Sequence, residues 1–333
     1  MFEFKDTLFR RLDHKEALKL ETPNKLAEQP LRIGISTRAL FDLEEEHQVY
    51  EKEGVEAYCV LQREREKEII KKGSGYNVVE RLLDLNDEGT RPQVEVVVLS
   101  RNSPDLSLRA FNSIKELDLN VKLGSFTSGR PLGPFVSAWG IDLFLSNETT
   151  DVQSAVSAGT AATRLMAVPK THVYGSEDRE VRIAFDGDAV VFSPESDLIY
   201  KEHGLSAFLE HETKNAEKPM SQGPFGKFLK KLSMLRELHM VGPGVSKVRI
   251  GIVTARNAPA HERVIQTLRV WGTPADEVHF VGPNEKSPIL FAMGAHIFFD
   301  DQEKHVLGAS SVVPSGHVPG PHSPDRPIIP SEQ

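Results

Sequence analysis

The chain has 333 residues, 39% of them hydrophobic and 26% charged, and carries a net charge of −8. This length points to two domains and this composition to an ordinary folded chain, not a fibrous or disordered one. The acidic balance excludes a binder of nucleic-acid polymers, which presents a basic face, but not a small anionic substrate, which needs only a local positive site.

The single cysteine, Cys59, excludes an intrachain disulfide and reads as a small buried apolar residue of a helix. No apolar run approaches the roughly 20 residues of a membrane span. The first turns of the chain carry Lys5, Asp6, Arg10, Arg11, Asp13 and Lys15 and lack a signal-peptide core. The expectation is a cytoplasmic protein with no membrane partner.

In chain order, residues 1–30 form an N-terminal extension. Apolar runs without alternation at 32–36, 94–99, 182–185, 248–253 and 296–299 predict strands buried on both faces. Helical stretches such as 105–117 and 260–271 lie between them, so the expected fold class is α/β, a parallel sheet covered by helices. Residues 193–247 have apolar spacing of helical type (Ile199, Tyr200, Phe208, Phe225, Phe228, Leu229, Leu232) and are expected to form a small helical cap. Residues 42–90 would be its counterpart. From 316 onward the chain is rich in proline and reads as an extended tail.

The strand at 182–185 runs into Asp186-Gly187-Asp188. Two carboxylates at close range repel, so a cation is expected between them. Mg²⁺ is a hard ion that takes oxygen ligands and fits such a site. An EF-hand loop is excluded, because its twelfth position would be Asp197 and not Glu. Three later segments join this one. The strand at 248–253 ends on Thr254-Ala255-Arg256-Asn257, Lys286 stands at a predicted helix start, and the strand at 296–299 ends on Asp300-Asp301.

This ordered set resembles the motifs of the haloacid dehalogenase superfamily. The stretches Asp-Gly-Asp-Ala-Val-Val-Phe-Ser-Pro-Glu-Ser, Val-Thr-Ala-Arg-Asn-Ala and His-Ile-Phe-Phe-Asp-Asp-Gln, with Ile-Ser-Thr-Arg-Ala-Leu-Phe at 35–41, are similar to the cytosolic type I 5′-nucleotidases over roughly residues 31–318. The resemblance implies a Rossmann-like parallel sheet and Mg²⁺-dependent hydrolysis of nucleoside 5′-monophosphates such as AMP or IMP. A phosphatase of another small phosphoester, such as a sugar phosphate, is the alternative; a nucleotide-binding regulatory protein is the non-enzymatic one. Homo-oligomer formation is compatible with each.

The chemistry assigns roles within that resemblance. Asp186 is the expected nucleophile, forming an aspartyl-phosphate, and Asp188 the acid and base. Gly187, Thr254, the Ala255 amide and Lys286 would hold the phosphate. Asp186, the main-chain carbonyl of Asp188, Asp300 and Asp301 would hold Mg²⁺, and Arg256 and Asn257 are candidate nucleoside contacts. None of the 12 histidines has metal-ligand spacing, and none is given a role.

The chain also resembles itself. Residues 31–58 set on 181–208, a shift of 150, agree at Arg32, Ile33, Ala39, Glu45, Tyr50, Gly54 and Ala57. Further on the shift is 154, with Phe126 on Phe280, Pro134 on Pro288 and Gly140 on Gly294. The first copy has Ser36, Arg38, Ser100, Leu132, Ser146 and Asn147 where the second has Asp186, Asp188, Thr254, Lys286, Asp300 and Asp301. Residues 31–165 are therefore expected to be a degenerate, inactive half and 180–315 the catalytic one.

Overall fold

The computed structural model describes residues 25–87, 90–169 and 180–320. Residues 1–24 of the expected extension and 321–333 of the expected tail lie outside the described residues. Ten strands form the central sheet: β1 (Leu31–Ile35), β2 (Val94–Ser100), β3 (Leu123–Phe126), β4 (Leu143–Ser146), β5 (Ala161–Leu165), β6 (Val181–Phe185), β7 (Val248–Thr254), β8 (Glu277–Phe280), β9 (Ile297–Asp300) and β10 (Ser315–His317). Their spatial order is β8-β7-β6-β9-β10-β5-β4-β1-β2-β3. Every neighbouring pair is parallel except β10 with β5, where Gly316 faces Leu165 and His317 faces Arg164 in antiparallel register. Each half thus places its first strand in the middle, flanked by its second and fourth.

Successive side chains of a strand point to opposite faces, and the apolar residues sort accordingly. On one face Ile33, Val96, Val98, Ile183, Phe185, Ile250, Ile252, Ile297 and Phe299 belong to a single core that runs through both halves. On the other, Val97, Leu99 and Phe144 form a core of the first half, and Ala184, Val253 and Phe298 one of the second. The shared face carries the helices Tyr76–Leu83 and Gly226–Leu238, the first touching β6 and the second touching β1, so each half lends a helix to the other's central strand.

Two expectations change here. The segment 193–247 is not all cap. Helix Glu195–Lys214 is the part that reaches the site, whereas Gly226–Leu238 buries Phe228, Leu229, Leu232 and Leu235 against the sheet. Helical periodicity reports an apolar stripe but not the surface that receives it. The Pro-rich tail does not begin at 316: Gly316, His317, Val318 and Pro319 are buried, because β10 sits inside the sheet. Cys59 lies on helix Glu44–Glu64, as expected, but is half-buried.

Helices Glu44–Glu64 and Glu195–Lys214 are each broken by a glycine, Gly54 at φ 86°, ψ −177° and Gly204 at φ 80°, ψ −177°. Only glycine populates that region readily. Gly73 and Gly223 answer another constraint, close backbone approach: a Cβ on Gly73 would lie 2.7 Å from the Ala39 carbonyl oxygen, and one on Gly223 2.5 Å from that of Val190. Backbone cannot yield as a flexible side chain can. Gly223→Ala should therefore lower the melting temperature by several degrees, a cost of about 3 kcal/mol. In the same calorimetric scan Gly242→Ala, with open space at its Cβ, should change it little.

Candidate active site

The residues singled out in the second half converge at the carboxyl ends of β6, β7 and β9, where open parallel sheets bind ligands. The Asp186 N–H donates to the Phe299 carbonyl at 2.8 Å, which fixes the end of β6 beside the end of β9. Lys286 caps helix Ser287–Met293 and is only 4% exposed. Its Nζ donates to Asp186 Oδ1 at 2.6 Å and to Asp300 Oδ2 at 2.7 Å, joining groups 100 and 14 residues away. Thr254, the last residue of β7, is buried, and its hydroxyl accepts from the Arg256 N–H at 3.2 Å. A Cβ on Gly187 would come within 3.3 Å of that hydroxyl, so glycine keeps the approach open. Ala255 and Asn257 are exposed beside it.

Asp186, Asp300 and Asp301 each bring a carboxylate oxygen within 4.8 Å of the other two. One ammonium cannot balance three carboxylates in so small a space. Asp300 keeps its charge: burial opposes ionisation, but Lys286, His305 and the Gln302 N–H hold it below the usual carboxylate range. Burial pushes Asp186 up to about 7, against the pull of Lys286 and with the push of Asp300. Burial, then Asp186 and Asp300, push Asp301 up to about 8. Asp301 Oδ1 is also buried without a hydrogen-bond partner. A group of hard oxygen donors carrying excess negative charge, one of them unsatisfied, fits a divalent cation.

Asp188 stands outside that group of three. Its carboxylate accepts two hydrogen bonds from Arg256, from Nε and Nη2, both at 2.7 Å. Arg256, a candidate nucleoside contact, is 4% exposed, and its guanidinium is taken up by internal partners. It also pairs with Glu212 and lies beneath the Phe208 ring at 5.4 Å. Glu212 in turn accepts from Arg263 at 2.9 Å and from Ser196 at 2.7 Å. A chain of charges thus runs from helix Glu195–Lys214 to Asp188.

Four members of this assembly carry no motif. Glu212 sits in the glycine-broken helix Glu195–Lys214 and Arg263 in the amphipathic helix His261–Trp271. His305 Nδ1 lies 3.3 Å from Asp300 Oδ2, and His317 Nε2 lies 2.9 Å from the Asp301 carbonyl. A short spacing after Asp300-Asp301 was the only signal for His305; Glu212 had none, since 26 positions of turn and helix separate it from Asp186.

An α/β sheet that gathers a carboxylate cluster, a buried lysine and a hydroxyl at its strand ends has the parts needed to bind and cleave a phosphate ester. The comparisons with known proteins agree. The model of the 5′-nucleotidase family matches residues 23–324, and the chain belongs to that family, within its cytosolic type I group. It is 34% identical over 290 residues to the human cytosolic 5′-nucleotidase 1B, covering 84% of this chain and 47% of that protein. The chain therefore spans about half the length of this curated relative. No solved structure matches it significantly. Among the described residues no helix is long and apolar enough to cross a membrane.

Removing Glu212 would leave two buried guanidinium groups short of a carboxylate. Breaking such a buried pair costs about 3–5 kcal/mol, far more than the loss of a solvent-screened surface pair such as Arg63–Asp105. Glu212→Ala should show this loss in urea denaturation. Burial opposes ionisation of Glu212, but Arg256, Ser196 and Arg263 hold its carboxyl below 4.5. Its contribution is complete above 4.5 and is lost as pH falls through the depressed value. The parent should lose more stability than Glu212→Gln across that acid range.

Proposed function

We propose that the chain hydrolyses nucleoside 5′-monophosphates to nucleoside and phosphate, in the cytoplasm, with Asp186 as nucleophile. The observation that carries this reading is the meeting of Lys286 with Asp186 and Asp300 at the strand ends, in a chain of the 5′-nucleotidase family. Lys286, the Thr254 hydroxyl and the Ala255 N–H bind the phosphoryl oxygens, and Gly187 lets them approach. An Asp186 oxygen attacks phosphorus in line, the bond to the ester oxygen breaks, and Asp188 gives that oxygen its proton. Asp188 then takes a proton from the water that attacks the aspartyl-phosphate, releasing phosphate and restoring Asp186. Arg256 aims the Asp188 carboxylate for both steps. Mg²⁺, held by Asp186, Asp300, Asp301 and the Asp188 carbonyl, would supply positive charge against the repulsion between carboxylate and phosphate.

We also read the fold as a duplicated haloacid dehalogenase fold, with residues 31–165 inactive and the catalytic half extended from 180 to 319. What supports this is the repetition of small, specific contacts at the same shifts. The Ser36 N–H donates to Leu145 as that of Asp186 does to Phe299. The Ile70 N–H donates to the Ser113 hydroxyl as that of Met220 does to the Thr267 hydroxyl. The Asn102 N–H donates to Ser100 as that of Arg256 does to Thr254.

Phosphate release from nucleoside monophosphates and sugar phosphates, with Mg²⁺ and with EDTA, tests the reading. Nucleotides should be the better substrates, and EDTA should abolish turnover. A hundredfold preference for sugar phosphates would replace the nucleotide assignment. Asp186→Asn should lose activity by at least about a thousandfold without unfolding. Asp188→Asn, lacking a step worth about 10²–10⁴-fold, should be slow and accumulate a hydroxylamine-sensitive phosphoryl label. Activity of Asp186→Asn within tenfold of the parent would remove Asp186 from the mechanism.

A further inference from the structure

The first half keeps a cleft where the second half has its site. A cavity of about 510 Å³ opens at the carboxyl ends of β1, β2 and β4, between the sheet and helix Glu44–Glu64. That volume is within the usual range for a small-molecule pocket. Its counterparts to the catalytic groups are Ser36 for Asp186 and Ser146 for Asp300. Leu132, fully buried, stands for Lys286. Neither the nucleophile nor the lysine survives, so nothing here can cleave a phosphate ester.

The walls are organised. On the cap side His47 and Tyr50 stack at 5.9 Å with 16° between their planes, and Tyr58 meets Tyr50 edge-on at 6.0 Å. Asn102 Nδ2 holds the Tyr58 hydroxyl at 3.1 Å. Tyr50 remains 45% exposed and lines the cavity, so part of its aromatic surface is open to a ligand. On the sheet side are hydroxyls, with Thr37 and Ser100 oxygens 3.4 Å apart.

Charge decides what kind of ligand fits. Arg38 is paired with Glu148 and, at 3.1 Å, with Glu44. Arg101 lies 3.7 Å from Asp151. Each cation of the cavity already has a carboxylate, so a phosphate dianion would have to displace one. An uncharged ligand displaces neither. A planar base against the aromatic wall and a sugar against the hydroxyls describe a nucleoside.

We propose that the first half binds an uncharged nucleoside in this cavity without chemical change. The inference rests on the nucleotidase reading, since a nucleoside is the product the second half would release.

Equilibrium dialysis of the full chain carrying Asp186→Asn, which cannot consume a competitor, tests it with labelled adenosine and labelled cytidine. Binding of at least one of the two should survive excess AMP. Tyr50→Ala should weaken that binding at least tenfold, Tyr50→Phe should restore it, and both variants should melt as the parent does. Binding that AMP displaces entirely, binding indifferent to Tyr50→Ala, or no binding of either nucleoside overturns the proposal. Phosphate release by the parent from AMP against ribose 5-phosphate reports separately on the nucleotidase reading.

Discussion

Strand β10 pairs in parallel with β9 on one side and antiparallel with β5 on the other, and through it ten strands become one sheet. The junction is narrow and close. A Cβ on Gly316 would collide with the Thr163 side chain, and the Thr163 hydroxyl donates to the His317 carbonyl at 2.9 Å. The end of the same strand reaches the acidic turn: His317 Nε2 lies 2.9 Å from the Asp301 carbonyl, and the Val318 N–H donates to that of Asp300 at 2.8 Å. So the strand that fuses the halves also fixes two carboxylates of the site. The apolar face beneath it strengthens the union. Phe185, Phe225, Phe228 and Phe299 pack ring against ring at 5.0–6.4 Å, and each such buried side chain contributes about 1.5–3 kcal/mol.

The site built on this frame concentrates like charge at the ends of buried strands. Lys286 relieves part of it and leaves Asp186 and Asp301 pushed toward protonation. A cation would relieve the rest, and the buried, unpartnered Asp301 oxygen is where the relief is most needed. Strand ends suit the task because their carboxylates are carried on backbone that cannot drift.

Much of this was legible in the sequence, and the reasons are physical. Strands buried on both faces have no alternative pattern, so five of them were readable as apolar runs to within a residue or so. Strand ends that stop on Asp, Thr and Asp-Asp announce themselves because apolar runs rarely end on charge. Other features were not legible. The Ser315–His317 strand is short and polar, since close approach to β5 demands small residues where an isolated strand would carry large ones. Helix Gly226–Leu238 has the same apolar spacing whether it packs on a cap or on a sheet. The partnership of Glu212 with Arg256 and Arg263 depends on how the kinked helix folds back, which no spacing rule encodes.

The buried arginines connect the architecture to the chemistry. Arg109 lies on helix Ser107–Glu116 and Arg263 on helix His261–Trp271, and each donates a hydrogen bond back to the chain leaving a kinked helix, at Glu68 and Lys218. Each also needs a carboxylate, because an unpaired buried guanidinium costs several kcal/mol. In the first half the carboxylate is Glu46, before the glycine kink, with Gln62 after it as a neutral partner at 2.9 Å. In the second half the carboxylate, Glu212, comes after the kink, and Ser196, before it, donates its hydroxyl to that carboxylate. The charge is kept in number while its place on the helix moves. At 212 one carboxylate oxygen meets Arg263 and the second reaches Arg256, which holds Asp188. Where the first half has Gln62, it has Asn102 in place of Arg256, bonded to Tyr58. The position of one buried carboxylate thus separates a kinked helix that is coupled to Asp188 from one that is not.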